Sequence, residues 1–341
     1  MELTIFKKFP ALKWKLPNLS ICKTPTPLLP MENLQKEINH ENLWVKRDDL
    51  TGDIYGGNKI RKLDFILAEA VRKKTRVIAT SGAVGSHHVL ATCLYAKKFG
   101  IDTAAIQYPV PNNSHLKRNQ EMIDNLARWK INIKTPLSLP LDYRELRKNL
   151  INEGFKPDDL LIIPPGGINP LGCIGYVNAA LEIEEQRKEM GIEPFDFVFL
   201  PFGTGGTASG LEIGFRLAMS PTRVVAVTVT SPAIANRWTL EWLCESTRLL
   251  LSEKLGKLAW LMGKRRKGFE IQIESSYLGS GYAHYGIEEE KIIDMMFETE
   301  GIKIDPVYSA KAMRAFIDKS SMPEFKRKKM LFLLTLGKVK F

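Results

Sequence analysis

Phe197-Val198-Phe199-Leu200 runs directly into Pro201-Phe202-Gly203-Thr204-Gly205-Gly206-Thr207-Ala208-Ser209-Gly210, and residues 211–218 after it are apolar at helical spacing. A short apolar run without alternation reads as a strand buried on both faces, which calls for a parallel sheet covered by helices. Strand, glycine loop and helix in that order point backbone N–H groups at an anion, above all a phosphate. Gly203, Gly205 and Gly206 keep side chains out of the anion's path, and Thr204 and Thr207 add hydroxyl donors. The loop lacks the lysine of a Walker motif. It fits GxGxxG spacing only roughly, through Gly203, Gly205 and Gly210, so a structural glycine turn remains an alternative.

The rest of the chain continues the pattern. Strands are expected at 43–46, 76–80, 103–107, 160–163 and 224–229, and helices at 89–99, 114–129 and 171–190. That alternation argues for an α/β fold with mostly parallel sheets. The 341 residues suffice for two lobes sharing one site, and 44% hydrophobic with 26% charged residues is the balance of a soluble globular enzyme. No apolar run approaches a membrane span, and residues 1–10 carry no signal-type apolar segment. Cys22, Cys93, Cys173 and Cys244 are scattered, as expected of reduced thiols in a cytoplasmic protein.

With a net charge of +11, the strongest basic clusters are Lys254–Lys267, containing Lys264-Arg265-Arg266-Lys267, and Lys326-Arg327-Lys328-Lys329. Neither cluster carries interleaved exposed aromatics or a reader motif, so they are read as solvated faces and not as a nucleic-acid site.

Lys59 is the reactive residue that the sequence singles out. It stands in Gly56-Gly57-Asn58-Lys59-Ile60-Arg61-Lys62-Leu63, a tight turn feeding an amphipathic helix, with Asn58 as the expected N-cap. A lysine in the first turn is poorly placed for the helix dipole, which lowers its pKa, and a neutral amine is what imine chemistry requires. Taken alone, the motif favours a surface lysine on an amphipathic helix, and only the second glycine cluster turns the reading toward chemistry. A lysine able to form an imine together with a cradle for one phosphate suggests pyridoxal 5'-phosphate.

Lys46-Arg47-Asp48-Asp49-Leu50-Thr51-Gly52 followed by the GGNKIRKL turn resembles the D-cysteine desulfhydrase and 1-aminocyclopropane-1-carboxylate deaminase family. The resemblance extends in order through Thr24–Leu28, Thr80–His88, Gly166–Gly172, the GTGGT loop and residues 299–313. It implies a two-domain tryptophan-synthase-β-like fold (fold type II), with a large cofactor-binding domain of residues 1–70 and 175–341 and a small inserted α/β domain of 71–174. It further implies a homodimer acting on a small amino acid, D-cysteine-like by the family's default, with loss of a Cβ leaving group and release of a 2-oxo acid and ammonia, plus sulfide from cysteine.

By the same resemblance, Lys59 carries the cofactor and Lys62 faces its phosphate. Ser86 and its loop bind the substrate carboxylate, Tyr308 and Tyr285 flank the substrate, and Ser309 faces the pyridine nitrogen. Tyr282 competes with Tyr285, because the stretch up to Tyr308 is shorter than the family's. Ser309 has a second reading, as a serine starting the helix that follows it.

Three departures stand out. The family's Gln-Ser-Asn-His is Gly85-Ser86-His87-His88 here, leaving His87 to hold the cofactor's ring hydroxyl. A glutamate found in the aminocyclopropane deaminases is replaced by Ser309, which argues against ring opening. The His-Thr-Gly-Gly strand end becomes Leu334-Thr335-Leu336-Gly337, suggesting a less enclosed pocket or another path for the last residues. Residues 237–268, with Trp238, Trp242 and Trp260, match poorly and read as helix packing. A β-replacing synthase, an epimerase, a nucleotide-dependent oxidoreductase and a cofactor-binding protein without catalysis stay open as alternatives.

Overall fold

The computed structural model describes residues 2–110, 114–256 and 268–337. Its strands are β1 (Leu28–Pro30), β2 (Leu43–Lys46), β3 (Val77–Ala83), β4 (Asp102–Tyr108), β5 (Trp129–Asn132), β6 (Leu160–Ile163), β7 (Phe197–Phe202), β8 (Arg223–Thr228), β9 (Gln272–Glu274) and β10 (Met330–Leu333). The helices are α1 (Thr4–Lys8), α2 (Glu32–Glu37), α3 (Asn58–Arg72), α4 (His87–Lys98), α5 (Ser114–Leu126), α6 (Leu139–Asn152), α7 (Pro170–Glu189), α8 (Gly206–Leu217), α9 (Arg237–Leu255), α10 (Ile287–Glu300) and α11 (Ser309–Ser320).

Two sheets organise these elements. The larger has the order β1-β2-β10-β7-β8-β9, and the smaller β5-β4-β3-β6. All pairings are parallel except β1 with β2. Strand β7 shows why its sequence is apolar without alternation. Val198, Leu200 and Phe202 pack into one core while Phe197 and Phe199 pack into another on the opposite face. β10 repeats this, with Leu331 and Leu333 on one side and Met330 and Phe332 on the other. Successive side chains of a strand point to opposite faces, so a central strand covered on both must be apolar throughout.

The small sheet uses only residues between 77 and 163. The expected domain limit at residue 174 falls inside α7, which packs on α3 and α8. The helix expected over 114–129 stops at Leu126. Arg128 N donates to Thr103 O and draws the chain onto the sheet edge, where Trp129 begins β5.

α9 packs on α7 and α8 through Leu240, Leu243, Cys244 and Leu251, and turns Trp238 and Trp242 outward. Trp260 and the 264–267 cluster lie outside the described residues. In the other basic cluster, Lys328 pairs with Asp196 at 3.2 Å. No helix among the described residues is long and apolar enough to cross a membrane.

A buried ionic cluster fastens α3 to the large sheet. The Arg61 guanidinium donates to Asp48 (2.8 Å) and Glu182 (2.9 and 3.0 Å), Lys46 Nζ donates to Glu182 Oε1 at 2.5 Å, and Tyr176 donates to Asp48 at 2.9 Å. All five residues are almost fully shielded from water. Burial alone would raise the Glu182 carboxyl, but Arg61 and Lys46 overcome it and hold the group down at about 2.

Candidate active site

A cavity opens where the ends of β3, β7 and β10 meet the starts of α3, α4 and α8. Lys59, Lys62, Ser86, His87, Gly203, Thr204, Gly205, Thr207 and Tyr308 all line it. The motifs are far apart in sequence, and parallel topology puts strand ends and helix starts on one side of a sheet.

Lys59 is half-buried in the first turn of α3. Its Nζ donates to Asn58 Oδ1 at 2.8 Å. Burial, then the nearby Lys62 cation, brings its amine down to about 7, against a smaller upward pull from Asp305. Asn58 does not cap α3 as expected, because Gly57 holds that position. Instead Asn58 N donates to Thr335 O at 2.8 Å, and its side chain donates to Thr207 at 3.1 Å, tying the lysine turn to β10 and to the glycine loop.

Lys62 lies one turn further along, with Nζ donating to Gly166 O at 3.1 Å, and burial lowers its amine to about 8. α8 begins at Gly206 behind Gly205, whose φ of +88° favours glycine. No side chain caps the first amides of α8, so they are left for an anion. A neutral amine, an uncapped helix start and a second lysine beside it fit an aldehyde that carries a phosphate.

Ser86 caps α4 and accepts from Val89 N at 3.5 Å. The Tyr308 hydroxyl stands 2.6 Å from that of Tyr282. Burial raises both phenols, Tyr282 to about 12, so both stay protonated at neutral pH. Tyr282 lines the cavity beside Tyr308, and Tyr285 is not among the lining residues, so of the two competing tyrosines it is Tyr282 that the geometry brings to Tyr308. The chain between Gly279 and Gly286 is irregular and turns through Gly281 and Ala283 at positive φ, which no spacing rule anticipates.

Ser309 lies fully buried beneath the lining, with its hydroxyl donating to Leu336 O at 2.8 Å. Asp305 caps the turn there, accepting from the amides of Val307, Tyr308 and Ser309 at 3.1, 2.7 and 2.9 Å. Thr335 and Leu336 return to the cavity wall, so the altered strand end still closes this side; residues 338–341 lie outside the described ones. Sequence reasoning missed Tyr55 and Asn119. Tyr55 precedes the glycine turn and reaches His87 Nδ1 with its hydroxyl, and Asn119 lies on α5 with its Nδ2 3.2 Å from the same nitrogen.

Comparison with known proteins agrees with this geometry. Residues 19–335 match the family model described as pyridoxal-phosphate dependent enzyme. A Pyrococcus furiosus protein provisionally named 1-aminocyclopropane-1-carboxylate deaminase is 32% identical over 335 residues, 97% of this chain and 94% of its own. The D-cysteine desulfhydrase of Serratia proteamaculans is 30% identical over 316 residues, covering 92% and 91%. The crystal structure of an aminocyclopropane carboxylate deaminase homologue superimposes with a TM-score of 0.82 at 31% identity, covering 99% of this chain and 96% of that one. Threonine deaminase isoform 2 of Solanum lycopersicum, at 13% identity and a TM-score of 0.63, shares the tryptophan-synthase-β-like fold, with 98% and 90% covered. The chain belongs to the pyridoxal-phosphate dependent enzymes, in the group that includes aminocyclopropane carboxylate deaminases and D-cysteine desulfhydrases.

Proposed function

We propose that the protein removes a leaving group from Cβ of a small amino acid, D-cysteine foremost, and that uptake of one water then releases pyruvate and ammonia beside the hydrogen sulfide. The observation that carries this reading is that no carboxylate lines the cavity among the described residues. Pyridoxal phosphate, when bound, supplies a sink for the electron pair left at Cα after deprotonation. A carboxylate at the ring nitrogen would keep that nitrogen protonated and deepen the sink; the buried hydroxyl of Ser309 carries no charge to do so. A shallow sink suits a reaction whose electron pair leaves at once with the Cβ substituent, and suits the opening of a cyclopropane ring poorly.

In this reading Lys59 Nζ holds the cofactor. As a free amine, the same nitrogen would take the Cα proton of a bound substrate. Its lowered pKa leaves a large neutral fraction at pH 7. Ser86 and the amides at the start of α4 hold the substrate carboxylate. The Tyr282–Tyr308 pair, kept protonated, donates to the departing group. The uncapped start of α8 and Lys62 hold the phosphate.

The second reading, aminocyclopropane carboxylate deamination, is favoured by the Pyrococcus relative and the homologue of known structure. Rates for D-cysteine, L-cysteine, β-chloroalanine and aminocyclopropane carboxylate, measured side by side on the purified protein, decide between them. Efficient turnover of the cyclopropane substrate alone would overturn elimination. The proposal includes a cytoplasmic homodimer with the small domain at 71–174, consistent with four free cysteines and a separate four-stranded sheet.

A further inference from the structure

Lys311 lies in the first turn of α11, three residues after Tyr308, and only 1% of it is exposed. A cation there is disfavoured twice, because burial strips its water and the start of a helix is the positive end of its dipole. Burial accordingly lowers its amine from the ordinary lysine value. No carboxylate among the described residues forms an ion pair with it; Glu289, whose charge reaches it, is taken up by Arg314 at 3.3 Å and by Gly286 N at 2.8 Å. Its partners are two main-chain oxygens: Nζ donates to Leu278 O at 2.7 Å and to Gly281 O at 2.8 Å. An alkyl chain would fill the same space without the cost of desolvation, so it is those two carbonyls that account for the charge.

Both carbonyls belong to the stretch that leads into Tyr282. Between β9 and α10, residues 275–286 form neither helix nor strand, and Gly279, Ser280 and His284 are exposed. The chain turns at positive φ on either side of Tyr282, at Gly281 (+120°) and Ala283 (+64°). A surface stretch with little packing is held by its polar contacts. One ammonium bridges Leu278 O and Gly281 O just before Tyr282, and the Glu289 carboxylate holds Gly286 N after it. Tyr308 is fixed separately, with its amide donating to Asp305 at 2.7 Å. The start of α11 thus carries both Tyr308 and the cation that holds the turn of Tyr282, and the two hydroxyls end 2.6 Å apart.

We infer that Lys311 is a positioning residue for the substrate side of the cavity: it closes the turn before Tyr282 and so holds that hydroxyl against the one of Tyr308. Its consequence for catalysis rests on the proposed role of the tyrosine pair. Of two hydroxyls in contact, one donates to the other, and the second keeps its hydrogen for a ligand. The point in the cavity that receives this hydrogen is set by both tyrosines together. With the tie at Leu278 and Gly281 removed, Tyr308 keeps its place through Asp305 but loses its partner.

The test is a double-mutant cycle on the holoenzyme, with Lys311→Met, Tyr282→Phe and the double variant assayed on D-cysteine and β-chloroalanine. Lys311→Met keeps an unbranched apolar stem and removes the donors. It should lower kcat by about tenfold or more, with KM and the visible absorbance of bound cofactor little changed, since a misplaced donor costs rate and not binding. The double variant should be no slower than Tyr282→Phe alone, because the tie then has nothing left to position. Lys311→Arg, which restores donors, should recover part of the loss. A folded Lys311→Met with wild-type kcat, or losses that multiply in the double variant, overturns the inference while the tyrosine pair stands. Wild-type turnover by Tyr282→Phe would instead sink the reading of the pair, and the catalytic consequence of Lys311 with it. Should Lys311→Met not fold, a crystal structure of the wild-type holoenzyme decides: Nζ on both carbonyls, with the Tyr282 hydroxyl against that of Tyr308, supports the inference, and Nζ turned elsewhere overturns it.

Discussion

A Cβ on Gly206 would stand 3.0 Å from Nζ of Lys62. The start of α8 and the first turns of α3 thus meet with only a hydrogen atom between backbone and ammonium, and any side chain there competes with a bound phosphate for both.

Gly206→Val should accordingly weaken pyridoxal phosphate binding at least tenfold, about 1.4 kcal/mol. The branched side chain displaces Lys62 and covers the amides that α8 offers. Equilibrium dialysis of the stripped protein with pyridoxal phosphate measures it. Wild-type affinity in the folded variant would show that the phosphate binds elsewhere.

Borohydride reduction followed by peptide mapping should place the pyridoxyl group on Lys59 and not on Lys62. The amine must be neutral to attack an aldehyde, and burial has lowered it to about 7. Cofactor capture by the stripped protein should therefore speed up as pH rises through about 7 and level off above it. A half-rise near the ordinary lysine value of 10.5 would contradict the assignment.

Removing one hydroxyl of the tyrosine pair separates the two candidates for the substrate side. Tyr308→Phe and Tyr282→Phe should lower turnover by about 10²-fold or more, the range of positioned proton donors, with cofactor affinity retained. Tyr285→Phe should leave turnover within a factor of about two, because Tyr285 is not among the lining residues. Steady-state kinetics of the three variants reads this directly, and a large loss confined to Tyr285→Phe would place Tyr285, and not Tyr282, beside the substrate.

Glu182→Gln should destabilise the protein by about 3–5 kcal/mol, because Lys46 and Arg61 would be left buried with reduced compensation. The Glu182 carboxyl lies at about 2 in the fold against an ordinary 4.5, so the wild type holds this contribution above pH 4.5 and loses it as pH falls toward 2. The gap between variant and wild type, followed by urea unfolding, should be full at pH 7 and narrow in acid. A gap independent of pH would mean that the carboxylate's charge is not what is being lost.

Much of the site was legible because its parts are local. The GGNK turn, β7 with its glycine loop and the strand before Ser81-Gly82 each announce themselves within about a dozen residues, through apolar runs and helix starts. What escaped depends on contacts between distant segments. Asn119 looks like one more polar residue on an amphipathic helix, and only α5's approach to Gly85 gives it a partner. Arg61 and Glu182 lie 121 positions apart with nothing in the sequence to pair them, yet they are buried against each other across α3 and α7. Tyr282 and Tyr285 differ by three positions in a stretch without period, so nothing in their spacing told which faces inward.

The place of β10 has a consequence for how the chain comes together. Residues 77–163 can close the small sheet by themselves, since its four strands follow one another in sequence. In the large sheet, β2 and β7 touch only through β10, which follows every other named strand and helix in the chain. During synthesis those two apolar strands must wait as open edges, the state in which chains pair with the wrong neighbour. Thr335 and Leu336, which follow β10 and form one wall of the cavity, appear later still. Cofactor capture in this cavity therefore reports on the completed large sheet, so early truncation should abolish it even where the small lobe folds.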